Sequence, residues 1–148
     1  MNIRKAAVKD FEALYQIGLA TPEFKVSASG EFMEPDEFLS VIENPFGTFL
    51  LAEDDGVPVG FFYANRKSDD RGLRTKWACL VYLVVKLEYR KQGVAQMLYD
   101  ACIKELKTHG VTNVYGWACA ESDGGIIRFL EKQGFSEGHK YIWMDKKI

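Results

Sequence analysis

The sequence has no long hydrophobic run. Its longest uninterrupted apolar stretch, Trp77 to Val85, falls far short of the roughly 20 residues a membrane helix needs, so no membrane partner is expected. Arg4 and Lys5 stand near the start, but no apolar leader stretch follows them, so no secretory signal is expected. Histidine is scarce: His109 and His139 are the only two. The three cysteines, Cys79, Cys102 and Cys119, are odd in number and show no CxxC spacing. Neither set supports a metal site. The cysteines read as reduced, mostly buried thiols of a cytoplasmic protein. A basic excess is missing too, with 19 Lys and Arg against 21 Asp and Glu, which disfavours a nucleic-acid partner. GxxxxGK and GxGxxG are both absent, which removes the P-loop and the dinucleotide fingerprint.

What remains is a chain of 148 residues, 47% apolar and 14% aromatic. That composition excludes disorder, and the length fits a single domain spanning residues 1–148. A chain of this size buries roughly 68–70% of its unfolded surface without metal or disulfide support. The net charge of −2 conceals a strong asymmetry. Residues 26–65 contain no Lys or Arg and eight acids: Glu31, Glu34, Asp36, Glu37, Glu43, Glu53, Asp54 and Asp55. Residues 66–109 carry ten bases and five acids. These are either two solvated faces or a cation-facing and an anion-facing region.

Periodicity predicts alternating elements. Asn2 to Ala6 reads as a strand, and Asp10 begins a helix with Phe11, Leu14, Tyr15 and Leu19 on one face. Ala20 to Gly30 reads as a loop. Pro35 suits the first position of a second helix ending near Asn44. Thr48–Ala52 and Val57–Ala64 are strand runs around the hairpin signal Asp54-Asp55-Gly56. A polar loop spans Asn65 to Thr75. Trp77 to Val85 reads as a strand buried on both faces. A helix follows from Val94 to about His109, then a strand from Val111 to Cys119. Asp123 is placed to cap a helix running to about Gln133, and a final pair of short strands is expected, the second near Tyr141 to Asp145. The pattern is an α/β sandwich on one sheet.

The chemical signal is the loop Val85 to Gln96, where a strand ends, a basic turn follows and a helix starts at Gly93. A helix N-terminus presents unpaired N–H groups and partial positive charge, which suit a phosphate. Gly93 lets a ligand approach without a Cβ in the way. Arg90 and Lys91 add charge, and Gln92 and Gln96 add neutral donors. The loop is either a pyrophosphate-binding turn or a basic helix start that caps itself.

Arg90-x-x-Gly93-x-Ala95, preceded by Leu83-Val84-Val85 and Glu88-Tyr89, resembles the acetyl-CoA signature of the GCN5-related N-acetyltransferase (GNAT) family. The segment Phe129-Leu130-Glu131-Lys132-Gln133-Gly134-Phe135 is similar to that family's second segment, and the order of elements agrees over almost the whole chain. The resemblance implies a central mixed, mostly antiparallel sheet with splayed fourth and fifth strands and about four flanking helices. It implies acetyl-CoA as acyl donor, with no metal. Leu83, Val84 and Val85 would offer backbone to the pantetheine arm, and the Leu83 N–H would face the thioester carbonyl. Arg90, Lys91, Gln92, Gly93, Val94, Ala95 and Gln96 would hold the pyrophosphate. Asp123 falls where the family often has a cofactor-contacting Asn, and helix capping is its competing role. Phe129 would also contact the cofactor.

Three side-chain roles of the family stand vacant. The usual base positions hold Cys79, Val81 and Ala118, and the usual acid position holds Leu130. Glu121 is the one named candidate for a base, or else a surface residue. Losing an acid costs about 10²–10⁴-fold rather than all activity. A lysine-like amine costs roughly 4–5 kcal/mol to deprotonate at pH 7, an α-amine about 1 kcal/mol, so the vacancies favour a less basic amine. Tyr82, Tyr115 and Trp117 read as packing, and Cys79 and Cys119 as thiols without a covalent role. The acceptor pocket would come from the loop Ala20 to Gly30, the second helix and the loop Asn65 to Thr75, with Phe24, Phe32 and Met33 as its apolar contacts or else as core. The reading is an acyl-CoA-dependent N-acyltransferase acting by direct attack of a small-molecule amine, polyamine or peptide α-amine. The acidic segment favours a cationic acceptor, and a homodimer is compatible with it. The rival reading is an acyl-CoA-binding sensor or regulatory module with little activity.

Overall fold

The computed structural model describes residues 1–25, 32–67 and 76–148. Strands β1 (Asn2–Lys5), β2 (Gly47–Asp54), β3 (Val57–Asn65), β4 (Trp77–Val85) and β5 (Asn113–Gly116) form one sheet in the order β1-β2-β3-β4-β5. The first four pair antiparallel; β4 and β5 pair parallel. Helices α1 (Phe11–Leu19) and α2 (Pro35–Ile42) precede β2, α3 (Val94–Thr108) joins β4 to β5, and α4 (Gly125–Lys132) follows. A parallel pair needs such a crossover, and α3 provides it.

Local chemistry explains the boundaries. Pro35 occupies the first turn of α2, where its missing N–H costs nothing. Asp55 and Gly56 both take positive φ, 47° and 80°, the geometry of a two-residue turn whose twist matches its strands. Gly60 is required by close approach, since a Cβ there would lie 2.6 Å from the Val84 carbonyl oxygen.

The sheet has a core on each face. Leu50, Phe62, Leu80 and Val85 pack under Val94, Leu98, Cys102 and Leu106 of α3. Phe49, Leu51, Phe61, Tyr63 and Val84 pack under Leu14 and Ile17 of α1 and Phe38 of α2.

Several expectations are corrected. β5 covers Asn113–Gly116 rather than Val111–Cys119, and no strand forms after Phe135 among the described residues. β4 is buried at both ends, but Val81 is 37% exposed and Tyr82 and Leu83 are half-buried, because the sheet opens there. Cys119 is exposed, unlike Cys79 and Cys102, because it lies beyond the end of β5. Gly124, in a left-handed conformation, precedes α4 in the cap position expected for Asp123. The expected loops fall partly on residues 26–31 and 68–75, outside the described residues, whereas Phe24, Phe32 and Met33 of the expected acceptor pocket lie within them.

Candidate active site

The site begins with a one-residue irregularity in β4. Tyr63 pairs with Tyr82, but Ala64 pairs with Leu80, so Val81 has no partner on β3. Such a bulge bends the strand and raises its twist. On the other side, β5 pairs with β4 only from Trp77 to Leu80. The two strands therefore part company at the bulge. Gly116 makes the last contact possible, because a Cβ there would lie 2.8 Å from the Leu80 carbonyl oxygen.

Beyond that point the register fixes where the backbone points. The Lys86 N–H donates to the Val59 carbonyl at 2.9 Å, which makes that pair hydrogen-bonded. Two residues on, Phe61 and Val84 form the next such pair, while Leu83 opposite Phe62 and Val85 opposite Gly60 fall between them. The N–H and C=O groups of Leu83 and Val85 thus face away from β3, toward the side β5 has vacated. One of them is used: Arg90 Nε donates to the Val85 carbonyl at 3.0 Å. An extended ligand segment could pair with the rest as an added strand.

The strand leads through a short 3₁₀ turn (Leu87–Tyr89) into the start of α3. Lys91 and Gly93 both adopt positive φ, 62° and 82°. A Cβ on Gly93 would meet nothing within 4 Å, so this glycine serves a backbone conformation and leaves open space above the helix start. The first N–H groups of a helix have no intrahelical acceptor, and no side chain caps α3. The basic turn therefore does not cap itself through a side chain.

The side chains here are less available than their types suggest. Arg90 also lies 3.6 Å from Glu23. Gln92 Nε2 donates to the Glu88 carbonyl at 2.8 Å. Gln96 donates to Asp100 and exchanges hydrogen bonds with Gln133. Lys91 is exposed, Val94 is buried at 2% and Ala95 is half-buried. What the turn offers an anion is chiefly backbone, with Lys91 as an exposed charge and Arg90, also exposed, turned to the Val85 carbonyl and Glu23.

On the opposite face from α3, a hollow of about 240 Å³ is lined by Tyr15, Phe32, Met33, Glu34 and Glu37. Tyr15 donates to the Met33 carbonyl at 2.7 Å, tying α1 to the segment before α2. The Phe32 ring in this wall lies 5.8 Å from that of Tyr82, and Phe24 lies 5.0 Å from it. Tyr82 in turn precedes Leu83, so the acidic hollow and the open edge of β4 are joined through one side chain. Burial, with smaller contributions from Tyr63 and Glu37, pushes the Tyr82 phenol up to about 12. It stays neutral at any ordinary pH. Phe24, Phe32 and Met33 are partly buried against the α1–α2 core, and Phe32 and Met33 also line the hollow. In the sequence Phe32 and Met33 read as pocket lining, Tyr15 as part of the first helix's spaced face, and Tyr82 as packing rather than chemistry. Glu34 and Glu37 belong to the acidic segment and to the second helix expected at the acceptor pocket, and the structure sets both at that helix's start around Pro35.

The remaining named residues fall outside this centre or serve packing. Asp123 accepts the Gly125 N–H at 2.8 Å. Phe129 packs on the α3-side core with its ring 5.8 Å from Tyr99. Glu121 is exposed in the turn after β5. Cys79 is buried at 5% exposure beside Tyr63. Ala118 lies beyond β5 and Leu130 is half-buried on α4. No cluster of three or more His, Cys, Asp or Glu able to hold a metal occurs among the described residues. No described helix is long and apolar enough to cross a membrane.

Residues 11–135 match the model of the Acetyltransferase (GNAT) family. No curated protein matches the chain by sequence. Among solved structures, Ard1 from Thermoplasma volcanium is similar at 22% identity, covering 93% of this chain and 84% of that one, with a TM-score of 0.76. Aminoglycoside 6′-N-acetyltransferase AAC(6′)-IG from Acinetobacter haemolyticus is similar at 21% identity, covering 100% and 99%, with a TM-score of 0.75. Aminoglycoside N-acetyltransferase AAC(6′)-Iy in complex with CoA is similar at 20% identity, covering 99% and 100%, with a TM-score of 0.72. At these identities the likeness is one of fold.

Proposed function

The chain belongs to the GNAT acetyltransferase family, and from that premise we propose that it transfers the acetyl group of acetyl-CoA to a small cationic amine by direct attack. The observation that carries the reading is the open edge of β4 running straight into an uncapped helix start. Leu83 and Val85 turn backbone polar groups toward the vacated side, and Gly93 leaves open space above α3.

The residues present fit the cofactor. An extended amide-bearing arm needs strand-like donors and acceptors, and Leu83 and Val85 supply them. A pyrophosphate needs convergent N–H groups, and the turn from Lys91 to Gln96 supplies them through backbone. Acetyl-CoA, when bound, supplies an acetyl group already activated as a thioester.

The chain's own work is positioning and charge stabilisation. The Leu83 N–H stabilises the negative charge that develops on the thioester carbonyl oxygen. The hollow of Tyr15, Phe32, Met33, Glu34 and Glu37 holds the acceptor, its carboxylates drawing in a cation and its rings packing on the carbon skeleton. The neutral amine nitrogen attacks the carbonyl carbon, the carbon–sulfur bond breaks, and the amine's surplus proton passes to water or to the departing thiolate. A CoA thiol resembling cysteine, with a pKa of about 8.5, leaves tolerably without an acid. The vacant positions at Val81, Ala118 and Leu130 therefore leave the reaction feasible. Three free thiols and this donor suit a reducing, cytoplasmic setting.

The test is thiol release from acetyl-CoA across a panel of mono-, di- and polyamines and peptide α-amines, with calorimetry of CoA binding alongside. Turnover concentrated on small polycationic amines is the expected result. Micromolar CoA binding with no turnover on any amine would replace this reading with that of an acyl-CoA-binding module.

A further inference from the structure

We propose that Gly18 of α1 is a positioning residue for the acceptor hollow: by leaving room for the Phe32 ring against the helix, it sets the width of amine that the hollow admits. The inference rests on the reading of that hollow as the acceptor site.

Gly18 is buried near the end of α1. Glycine is unfavourable inside a helix, and the backbone here does not call for it. Its φ is not positive, so an L-residue takes the same conformation without strain. What glycine alone supplies is space. A Cβ at this position would lie 2.7 Å from Cδ1 of Phe32 and closer still to Cε1 and Cζ. The Phe32 ring thus rests directly on the backbone of α1.

The ring is held from other directions as well. Phe24 stacks on it at 5.1 Å with the planes 20° apart. Phe38 and Tyr82 meet it edge-on at 5.4 and 5.8 Å, and Tyr15 lies 5.9 Å away. Tyr15 also donates to the carbonyl of the next residue, Met33. Helices α1 and α2, the turn Pro22–Phe24 and β4 therefore all pack on one ring. Its open side among the described residues is the hollow that it lines with Tyr15, Met33, Glu34 and Glu37.

Close-packed rings resist compression, so a side chain at position 18 drives Phe32 toward the hollow. Regaining van der Waals distance takes a shift of about an ångström or more. The hollow holds about 240 Å³, below the roughly 300–1,000 Å³ of a drug-sized site, and such a shift removes a sizeable share of its width. Glu34 and Glu37 are carried by the start of α2, not by the ring. Width and charge are thus set by different residues, and Gly18 governs width.

Calorimetry in the presence of CoA, with steady-state kinetics, tests this on straight-chain and ring-bearing diamines of equal charge. Gly18→Ala should lower affinity and kcat/KM for the ring-bearing diamine about tenfold more than for the straight-chain one. CoA affinity and far-ultraviolet dichroism should stay as in the parent. Phe32→Leu, which removes Cε1 and Cζ, should shift the preference the opposite way. Gly18→Ala combined with Phe32→Leu should return the ratio toward that of the parent. Equal loss on both diamines, no loss, or a double variant that keeps the Gly18→Ala ratio overturns the proposal. Should Gly18→Ala alone fail to fold, the ratios of Phe32→Leu and the double variant decide it, and two unaltered ratios overturn it. Glu37→Gln separates the proposal from the reading beneath it. A similar fall for both diamines keeps the hollow as the acceptor site, whatever Gly18 does. Parent-like binding of both, or no binding to the parent, removes the hollow as the acceptor site, and the proposal falls with it.

Discussion

Leu83 stands opposite Phe62 at a position where β3 and β4 exchange no hydrogen bond, so the Leu83 N–H points into the space that β5 leaves beyond Leu80. The orientation follows from strand register and is independent of side-chain identity. Replacing the Leu83 amide by an ester, through the α-hydroxy acid analogue, removes the donor and keeps the side chain. It spares the bonds to β3. Loss of one such donor costs about 10²–10³-fold in kcat. We expect that fall with the melting temperature nearly unchanged. An unchanged kcat would remove Leu83 from the charge-stabilising role.

Gly93 offers a second separation of fold from function. Its φ of 82° suits glycine and costs an L-residue about 1–2 kcal/mol, yet a Cβ meets nothing within 4 Å. Gly93→Val should therefore fold with a modestly lower melting temperature. Its branched side chain would stand in the space proposed for the pyrophosphate, and CoA affinity by calorimetry should fall at least tenfold. Parent-like affinity would refute the assignment.

Much of this was legible in the sequence. Val94 to Thr108 shows helical periodicity, Trp77 to Val85 is an unbroken apolar run, and Asp55-Gly56 demands a tight turn; each became an element close to its expected bounds. The bulge at Val81 was not legible, because it arises from a mismatch between two registers and Val81 is an ordinary strand residue. Nor was the use of Arg90 to hold the Val85 carbonyl, since the same residue type equally suits a phosphate. The expected strand at Tyr141 to Asp145 has strand-like composition but no partner strand among the described residues, and composition says nothing of partners.

The pairing of Arg4 with Asp10 sets an acid limit on stability. Asp10 is 7% exposed, accepts both Arg4 terminal nitrogens at 2.8 Å and the Ala7 N–H at 2.9 Å, and so ties β1 to the turn that starts α1. The guanidinium holds its carboxyl below the ordinary value of 3.8. A depressed carboxyl contributes stability that is fully present above about pH 4 and lost as pH falls through the lowered folded value. Asp10→Asn should cost about 1–3 kcal/mol at pH 7. In urea titrations the gap between parent and variant should close below about pH 4. A gap constant down to pH 2 would show that the carboxylate's charge is not what matters.

The pH dependence of turnover distinguishes a protein base from water-assisted deprotonation. Tyr82 is the ionisable group that connects the hollow to Leu83, and burial holds it up to about 12, so it neither accepts a proton nor changes charge between pH 6 and 9. Cys79 and Val81 occupy the neighbouring strand positions, and neither is a carboxylate or imidazole. With Glu34 and Glu37 in the hollow serving as charges that hold the cation and water taking the proton, the acceptor presents its own neutral fraction, and kcat/KM should rise about tenfold per pH unit below the amine's pKa and level off there. The inflection should move with the amine, lying near 8 for an α-amine and above 9 for a lysine-like one. Tyr82→Phe should leave that inflection in place while raising KM for the acceptor. An inflection between pH 6 and 7.5 shared by every amine would instead require a titrating group on the protein, and Glu37→Gln, Glu34→Gln and Glu121→Gln would then be the variants to measure.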